Sequence, residues 1–335
     1  MKKTLKTQAR LVAITFGVLL IGCVSGYSVA AELAYPSKPI RLIVPYPPGA
    51  GTDFTARALG EGISQGLGQA VVIDNRPGAG ATLGHGLAAR ALADGYTLLL
   101  ATTGGMVSGP ALGLSLSYDP IKDFSPIGLA TFVPYFLVVY GGLPVNSVEE
   151  LIAYAKARPG QLNFGSPGTG TPNHVGGVLL MQLSGIDLMH IPYKGGGPVL
   201  TDLISGQLQA TFASLPQVLP HTATHRLKLL GVGYTRRIKS APEVPTIAES
   251  LPGFNNTGWW GLVAPRSISP QIILKLNSTI NKSLMSPAVI QHFVNNGLEP
   301  TYSTPEKFAK VIAEDLQAWT LLVKKANIQL KSSPP

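Results

Sequence analysis

From residue 39 onward, short β-branched runs alternate with Gly/Pro loops and with stretches whose apolar residues recur every three to four positions. This alternation marks α/β units on a parallel sheet. A strand buried on both faces reads as a continuous apolar run, while a covering helix shows a single apolar stripe. The runs predict strands over 40–44, 71–74 and 97–101, with helices over 54–65 and 79–93 between them. A second series follows: a long β-rich run at 131–140, a helix over 148–157, strands over 162–165, 188–192, 209–213 and 227–232, and helical stretches after Pro172 and Pro198. Ser147 and Glu150 frame the 148–157 helix as a reciprocal capping box, and Arg158-Pro159-Gly160 stops it. Near the C-terminus 259–264 reads as a strand, and Ser269-Pro270 and Thr304-Pro305 each set a cap residue before a proline suited to the first helical position. Ile272, Leu276, Ile280 and Leu284, and then Phe308, Ile312, Leu316, Trp319 and Val323, mark the buried faces of two amphipathic helices.

The N-terminus follows a different pattern. Lys2, Lys3, Lys6 and Arg10 precede an apolar run at 11–21, and Val29-Ala30-Ala31 supplies the small residues of a cleavage site, so residues 1–31 read as a secretory signal peptide. The run is about half the roughly twenty residues that span a bilayer, which argues against an anchor. Leu20-Ile21-Gly22-Cys23 resembles the box at which bacterial lipoproteins are cut and lipidated. Cutting there would tether the protein through Cys23, and cutting after Ala31 would leave it soluble. The sequence leaves both open, and with a single cysteine no intramolecular disulfide forms in either case.

Composition supports a compact, folded globular protein. Apolar residues make up 45% and charged residues 13%, ample for a core, and a mature chain of about 300 residues usually divides into two lobes. Four of the nine surplus positive charges sit in the leader, and the basic pairs Arg236-Arg237 and Lys324-Lys325 stand alone. A nucleic-acid face would need clustered cations with interleaved aromatics, so the charge implies no more than a bias toward small anions.

Ligands of parallel α/β sheets lie beyond the carboxyl ends of the strands. Two loops there stand out: Pro45-Tyr46-Pro47-Pro48-Gly49-Ala50-Gly51-Thr52-Asp53, and Gly165-Ser166-Pro167-Gly168-Thr169-Gly170-Thr171-Pro172-Asn173-His174. Each brings glycine backbone to the start of a helix, where free N–H groups and the helix dipole stabilise a carboxylate without a buried cation. Ser166, Thr169, Thr171 and Asn173 add hydrogen-bonding side chains, and Thr102-Thr103-Gly104 is a weaker case of the same kind. Asp53 reads as an N-cap, since its charge would repel an anion.

Enzymatic readings fail on the residues. Phe164 stands where a nucleophile elbow around Ser166 needs glycine, so Ser166 and His174 do not make a hydrolase. The glycines at 78–84 carry one residue too many for a dinucleotide fingerprint. His221 and His225, four apart, would share one face of a surface helix but lack the acid of a zinc enzyme. His190 could approach the cleft or pack against a neighbour, and Lys194 could pair with a ligand carboxylate or stand solvated. No catalytic residue, metal or cofactor is expected.

Several ordered motifs together resemble one family. These are the 44–53 loop, Asn75-Arg76-Pro77-Gly78-Ala79-Gly80, Asp94-Gly95-Tyr96-Thr97-Leu98-Leu99, the 163–174 loop, Ile191-Pro192-Tyr193-Lys194-Gly195 and Pro242-Glu243-Val244-Pro245-Thr246. The chain resembles the tripartite tricarboxylate transporter receptors, or Bug receptors, over nearly all of residues 36–328. That resemblance implies a type II periplasmic-binding-protein fold: two α/β lobes, 36–131 with 254–330 and 132–253, joined by crossing strands that act as a hinge around a ligand cleft. It implies no catalysis and no cofactor, but a small organic acid handed to a tripartite tricarboxylate-type permease in the inner membrane. Carried over by position, the ligand loops fall on Tyr46, Pro48, Gly49, Ala50, Gly51 and Thr52, and on Ser166, Gly168, Thr169, Gly170, Thr171 and His174, with Thr102, Thr103, Tyr193 and Ser214 nearby. Two positions depart from the family pattern. Ala50 replaces a frequent glycine, and Ala213-Ser214 replaces an Asp-Asn-like pair, which favours a purely anionic ligand over an amino acid. A rival role, a sensor subunit presenting the same ligand to a membrane signalling partner, is equally compatible with the sequence.

Overall fold

Two sheets organise residues 35–325, the part of the chain that the computed structural model describes. The leader and Cys23 lie outside these residues. In the six-stranded sheet β1 (Ile40–Val44) runs parallel to β2 (Val71–Asn75) and β3 (Thr97–Thr102). Beyond β3 the long antiparallel pair β4 (Phe124–Pro134) and β10 (Thr257–Pro265) extends it, and β11 (Glu299–Pro300) closes the edge. In the five-stranded sheet β6 (Leu162–Ser166) runs parallel to β7 (Leu188–Pro192) and β8 (Ala210–Ala213), while β5 (Phe136–Tyr140) joins β8 to β9 (Leu227–Val232) in antiparallel pairs. Leu42, Ile43 and Val44 are fully buried, as a strand covered on both faces requires.

The principal helices are α1 (Gly51–Leu67), α2 (Thr82–Ala89), α3 (Val148–Lys156), α4 (Pro172–Ser184), α5 (Gly196–Ile204), α6 (Leu215–Thr222), α7 (Ile247–Ser250), α8 (Pro270–Leu284), α9 (Pro287–Asn295) and α10 (Pro305–Lys325), and a short helical segment, Gly104–Ser108 with Gly109–Ala111, follows β3. Leu276, Ile280 and Leu284 of α8, and Phe308, Ile312 and Trp319 of α10, are buried as their spacing predicts. Phe308 meets Trp259 edge to face, with centroids 5.1 Å apart, inside a core that also holds Ile43, Leu99 and Met106. A separate core around Phe136, Val199, Leu203 and Val218 fills the second lobe.

The chain differs from the sequence expectation where the backbone bends. The apolar run at 131–140 is two strands, with β4 ending at Pro134 in one sheet and β5 starting at Phe136 in the other. The return crossing lies between β9 and β10, and the two crossings are stitched together: Gly233 N donates to Tyr135 O (2.8 Å) and Asn256 N donates to Gly233 O (2.7 Å). The expected 79–93 helix is a 3₁₀ turn (Ala79–Ala81) followed by α2, because Ala79 and Ala81 both take positive φ. Ser147 Oγ accepts from Glu150 N at 3.2 Å, but the Glu150 carboxylate accepts from Asn146 N instead of closing on Ser147. Ser269 makes no cap bond, and its hydroxyl turns to Gln271. Helix α1 begins at Gly51, so Asp53 lies in its first turn instead of capping it.

Trp259 Nε1 donates to Asp315 Oδ2 (2.7 Å) and so fastens α10 to the core, and burial pushes the Asp315 carboxyl above its usual pKa. Asp315→Asn keeps an acceptor for the indole and removes a charge that is poorly solvated. We expect its melting temperature at pH 7 to rise by about 2 °C. The difference should shrink in acid as the wild-type carboxyl protonates, and a fall in melting temperature at pH 7 would contradict the account.

Candidate functional site

The carboxyl ends of β1, β6, β7 and β8 face the space between the two sheets, and the helix that follows each of these strands starts there. Gly51 and Thr52 open α1, Asn173 lies in the first turn of α4, Gly196 opens α5, and Ser214 precedes α6 with Gln217 in its first turn. These residues line one cavity, completed by Tyr46, Ala50, Tyr135, Pro167 and Trp260. The helix starts are local in origin. Thr171-Pro172 and Ser214-Leu215-Pro216 couple a polar residue to a proline whose missing N–H costs nothing in a first turn.

Among the described residues no Asp, Glu, Lys, Arg or His lines the cavity. Its electrostatics therefore come from first-turn N–H groups, which lack intrahelical acceptors, and from the positive ends of the helix dipoles. Thr52 Oγ1 is buried with no hydrogen-bond partner among the described residues. Ser214 Oγ donates to Gln217 Oε1 (3.3 Å), and Asn173 Nδ2 is committed to Phe212 O. Burial pushes the Tyr46 and Tyr135 hydroxyls well above the usual phenol pKa, so both remain neutral donors.

Asp53 builds the first loop without entering the cavity. Its carboxylate accepts from Gly49 N, Arg57 Nε and Asn75 Nδ2, each at 3.0 Å, and Asn75 Nδ2 also donates to Tyr46 O (3.0 Å). Burial alone would raise its pKa, but these hydrogen bonds outweigh it and hold the carboxyl below the usual range.

The lobes meet closely around the cavity. Ser108 Oγ, beyond β3, donates to Gly170 O, beyond β6, at 2.6 Å. A Cβ on Gly51 would stand 2.9 Å from Ser214 Oγ and 3.0 Å from the Trp260 ring. Gly168, at φ +146°, lies so near Gly80 that a Cβ would come within 3.1 Å of its Cα. The remaining free volume is about 30 Å³, room for about two waters, so the lobes must part to admit anything larger.

Of the positions expected from the sequence, Tyr46, Ala50, Gly51, Thr52, Asn173 and Ser214 line this cavity. Pro48 and Gly49 are exposed on the loop. Thr103 is buried and clasps β10: its Oγ1 accepts from Trp259 N (2.7 Å) and donates to Trp259 O (3.2 Å). The second loop spends its polar groups on itself. Ser166 Oγ is hydrogen-bonded to His190 Nε2 (2.7 Å), Thr171 Oγ1 donates to Gly168 O (2.8 Å) and accepts from His174 N, and His174 Nδ1 accepts from Gly170 N. His174 and His190 lie ring against ring, 4.2 Å between centroids, with Phe164 stacked on both, and burial lowers their pKa values to about 4 and about 3. Gly168, Thr169, Tyr193 and Lys194 border a separate crevice with Gly80, and the Tyr193 hydroxyl donates to Asp202 Oδ2 (2.6 Å). His225 lies beyond the end of α6 at φ +56°, so the shared helical face with His221 does not form. Among the described residues no group of His, Cys, Asp or Glu is arranged to hold a metal ion.

Pro167, within the second loop, lines the cavity as well, whereas the sequence reading missed Tyr135, Gly196, Gln217 and Trp260. Gly196 and Gln217 carried a usable signal, since each sits in the first turn of a helix after a parallel strand. Tyr135 and Trp260 carried none, because they come from the strands that cross between the sheets.

Residues 55–328 match the profile described as the tripartite tricarboxylate transporter family receptor. The protein BugT of Bordetella pertussis is 36% identical over 326 residues, covering 97% of this chain and 99% of BugT. Among solved structures, R. palustris Rpa4515 with adipate superposes with a TM-score of 0.85 at 32% identity, covering 88% of this chain and 99% of that one. MatC (Rpa3494) from Rhodopseudomonas palustris with bound malate gives 0.82 at 30% identity, covering 86% and 100%. The fold is thus the two-lobed periplasmic-binding-protein fold, and the chain belongs to the tripartite tricarboxylate transporter receptor family, as a binding receptor and not an enzyme.

Proposed function

We propose that this receptor captures a small carboxylate between its lobes and delivers it, closed, to a tripartite tricarboxylate-type permease. One observation carries the reading: the starts of α1, α4, α5 and α6 converge on a cavity that no charged side chain among the described residues lines. Oriented N–H groups stabilise an anion there, and the buried, unpartnered Thr52 hydroxyl is a ready further donor. Adipate in Rpa4515 and malate in MatC are ligands of the same chemistry. Closure would turn the sheet of β5–β9 against the other about the stitched segments at Tyr135, Gly233 and Asn256. In this reading the leader 1–31 exports the chain to the periplasm, and the mass of the mature N-terminus assigns the cut to Cys23 or Ala31.

The test is a thermal-shift screen of refolded protein against carboxylic acids and their matching amides. An acid at a thousand times its dissociation constant adds about 4 kcal/mol, a shift of several degrees, and the neutral amide adds little. Equal shifts with acid and amide, or a response confined to amines or sugars, would overturn the assignment.

A further inference from the structure

The second loop meets the opposite lobe at a seam outside the ligand cavity. Ser108 Oγ, in the short helical segment after β3, donates to Gly170 O at 2.6 Å, and Ser108 is fully buried there. Leu114 closes on the same glycine: a Cβ on Gly170 would stand 2.6 Å from Leu114 Cδ1 and 3.3 Å from Gly109 Cα. Gly168 presses on Gly80 in the same way, and a Cβ on Gly195 would stand 2.7 Å from Pro47 Cγ. Gly170 also takes a φ of +86°, so backbone and packing both ask for glycine at this point of the seam. The loop is braced from within its own lobe, since Gly170 N donates to His174 Nδ1 (3.3 Å) and Thr171 Oγ1 donates to Gly168 O (2.8 Å). It therefore offers Ser108 a carbonyl held in place. Neither Ser108, Leu114 nor Gly170 lines the cavity.

We infer that Ser108 and Leu114 form a closure latch on Gly170, which sets how tightly the receptor holds any ligand without choosing among ligands. This rests on the reading above, in which the lobes close on a carboxylate, and adds which residues hold the closed form. Parting the lobes to admit a ligand separates the segment after β3 from the second loop and breaks the Ser108 bond, so the latch stabilises the closed form alone. Apparent affinity is the affinity of the closed form scaled by the fraction of protein that is closed. A residue that touches no ligand changes only that fraction and multiplies every dissociation constant by one factor. A residue of the cavity wall changes the constants unequally. Ser108 is thus a positioning residue, and the net contribution of one neutral hydrogen bond corresponds to about three- to tenfold in affinity.

The experiment is calorimetric titration of the refolded mature protein, as wild type, Ser108→Ala and Leu114→Ala, with adipate, malate and citrate as probes and circular dichroism as the folding control. Stopped-flow tryptophan fluorescence, to which Trp260 in the cavity wall contributes, follows release of each acid. Both variants should weaken every acid that binds the wild type, Ser108→Ala by about three- to tenfold, and keep the affinity ratios between acids within about twofold. Release should quicken in proportion, because the bond is lost only when the lobes part. A folded Ser108→Ala protein with wild-type affinities would overturn the latch and leave the carboxylate reading standing. A loss confined to one acid would also overturn it, since Ser108 would then be a ligand contact. Leu114 is only half-buried, so Leu114→Ala carries the test if the buried Ser108→Ala fails to fold, and unchanged affinity there overturns the latch equally. Failure of every acid to bind the wild type would overturn the carboxylate reading and the latch with it.

Discussion

Replacing Gly51 with leucine is expected to weaken ligand binding about a hundredfold or more while leaving the unliganded fold close to intact. The side chain would start 2.9 Å from Ser214 Oγ and 3.0 Å from the Trp260 ring, and it has nowhere to go but the cavity. Ser214 can rotate away, and the Trp260 ring, buried in β10, has only to give by a few tenths of an ångström, so the rest of the side chain enters the cavity. A hundredfold loss corresponds to about 2.7 kcal/mol, less than the contacts of even a small acid. The fold should tolerate the change because Gly51 is the first helical residue of α1, where backbone geometry makes no special demand for glycine. Calorimetry against the best ligand of the screen, with circular dichroism as the folding control, decides the matter. Wild-type affinity in a folded Gly51→Leu protein would mean that the ligand sits elsewhere, with the Gly168–Lys194 crevice the next place to look.

The second large effect is loss of stability in mild acid. His85 is fully buried, hydrogen-bonded to Ala81 O through Nδ1 and accepting from Thr102 N through Nε2, and burial lowers its pKa to about 4. His174 and His190 are lowered to about 4 and about 3, the latter also by its neighbour His174. All three are neutral in the folded protein and titrate near 6.5 once unfolded. The folded state therefore binds fewer protons than the unfolded state between these limits. The stability that neutrality confers is complete above about pH 6.5 and is lost as the pH falls toward 4. Three extra protons on the unfolded chain give a slope of at most about 4 kcal/mol per pH unit, less in practice because His190 is partly exposed. Asp315 acts in the opposite direction but is a single group, its pKa raised by burial. Urea unfolding from pH 7.5 to 4.5 should show a steep decline with an uptake of about two to three protons per molecule. A flat profile would contradict the burial of these imidazoles as neutral groups.

Local chemistry was legible in the chain wherever an element owes its existence to its own residues. The strands at 188–192 and 227–232 match their predicted bounds, and α8 and α10 start at the prolines that announced them. Helix α9 begins with the same signature, Ser286-Pro287, although the sequence reading did not include it. The helix starts of the site were legible for the same reason: Gly/Pro loops after apolar runs mark them, and a helix start exposes N–H groups whatever surrounds it. By contrast, polarity at Ser166, Thr171 and His174 signals that partners exist but not which ones. Those partners turned out to be Gly168, Gly170 and His190, within the second lobe.

By itself, then, the sequence determined an α/β chain of two lobes whose strand-end loops favour a small anion, because burial pattern, capping and loop chemistry are written within a few residues of where they act. Only the tertiary structure decided that the run through Tyr135 splits between two sheets, since β4 is claimed by β10 and β5 by β8 and β9, strands far along the chain. It also decided that Trp260 and Tyr135 wall the cavity. Such contacts join residues as far apart in the chain as Gly51 and Trp260, and packing between distant segments leaves no periodicity that a local reading could detect.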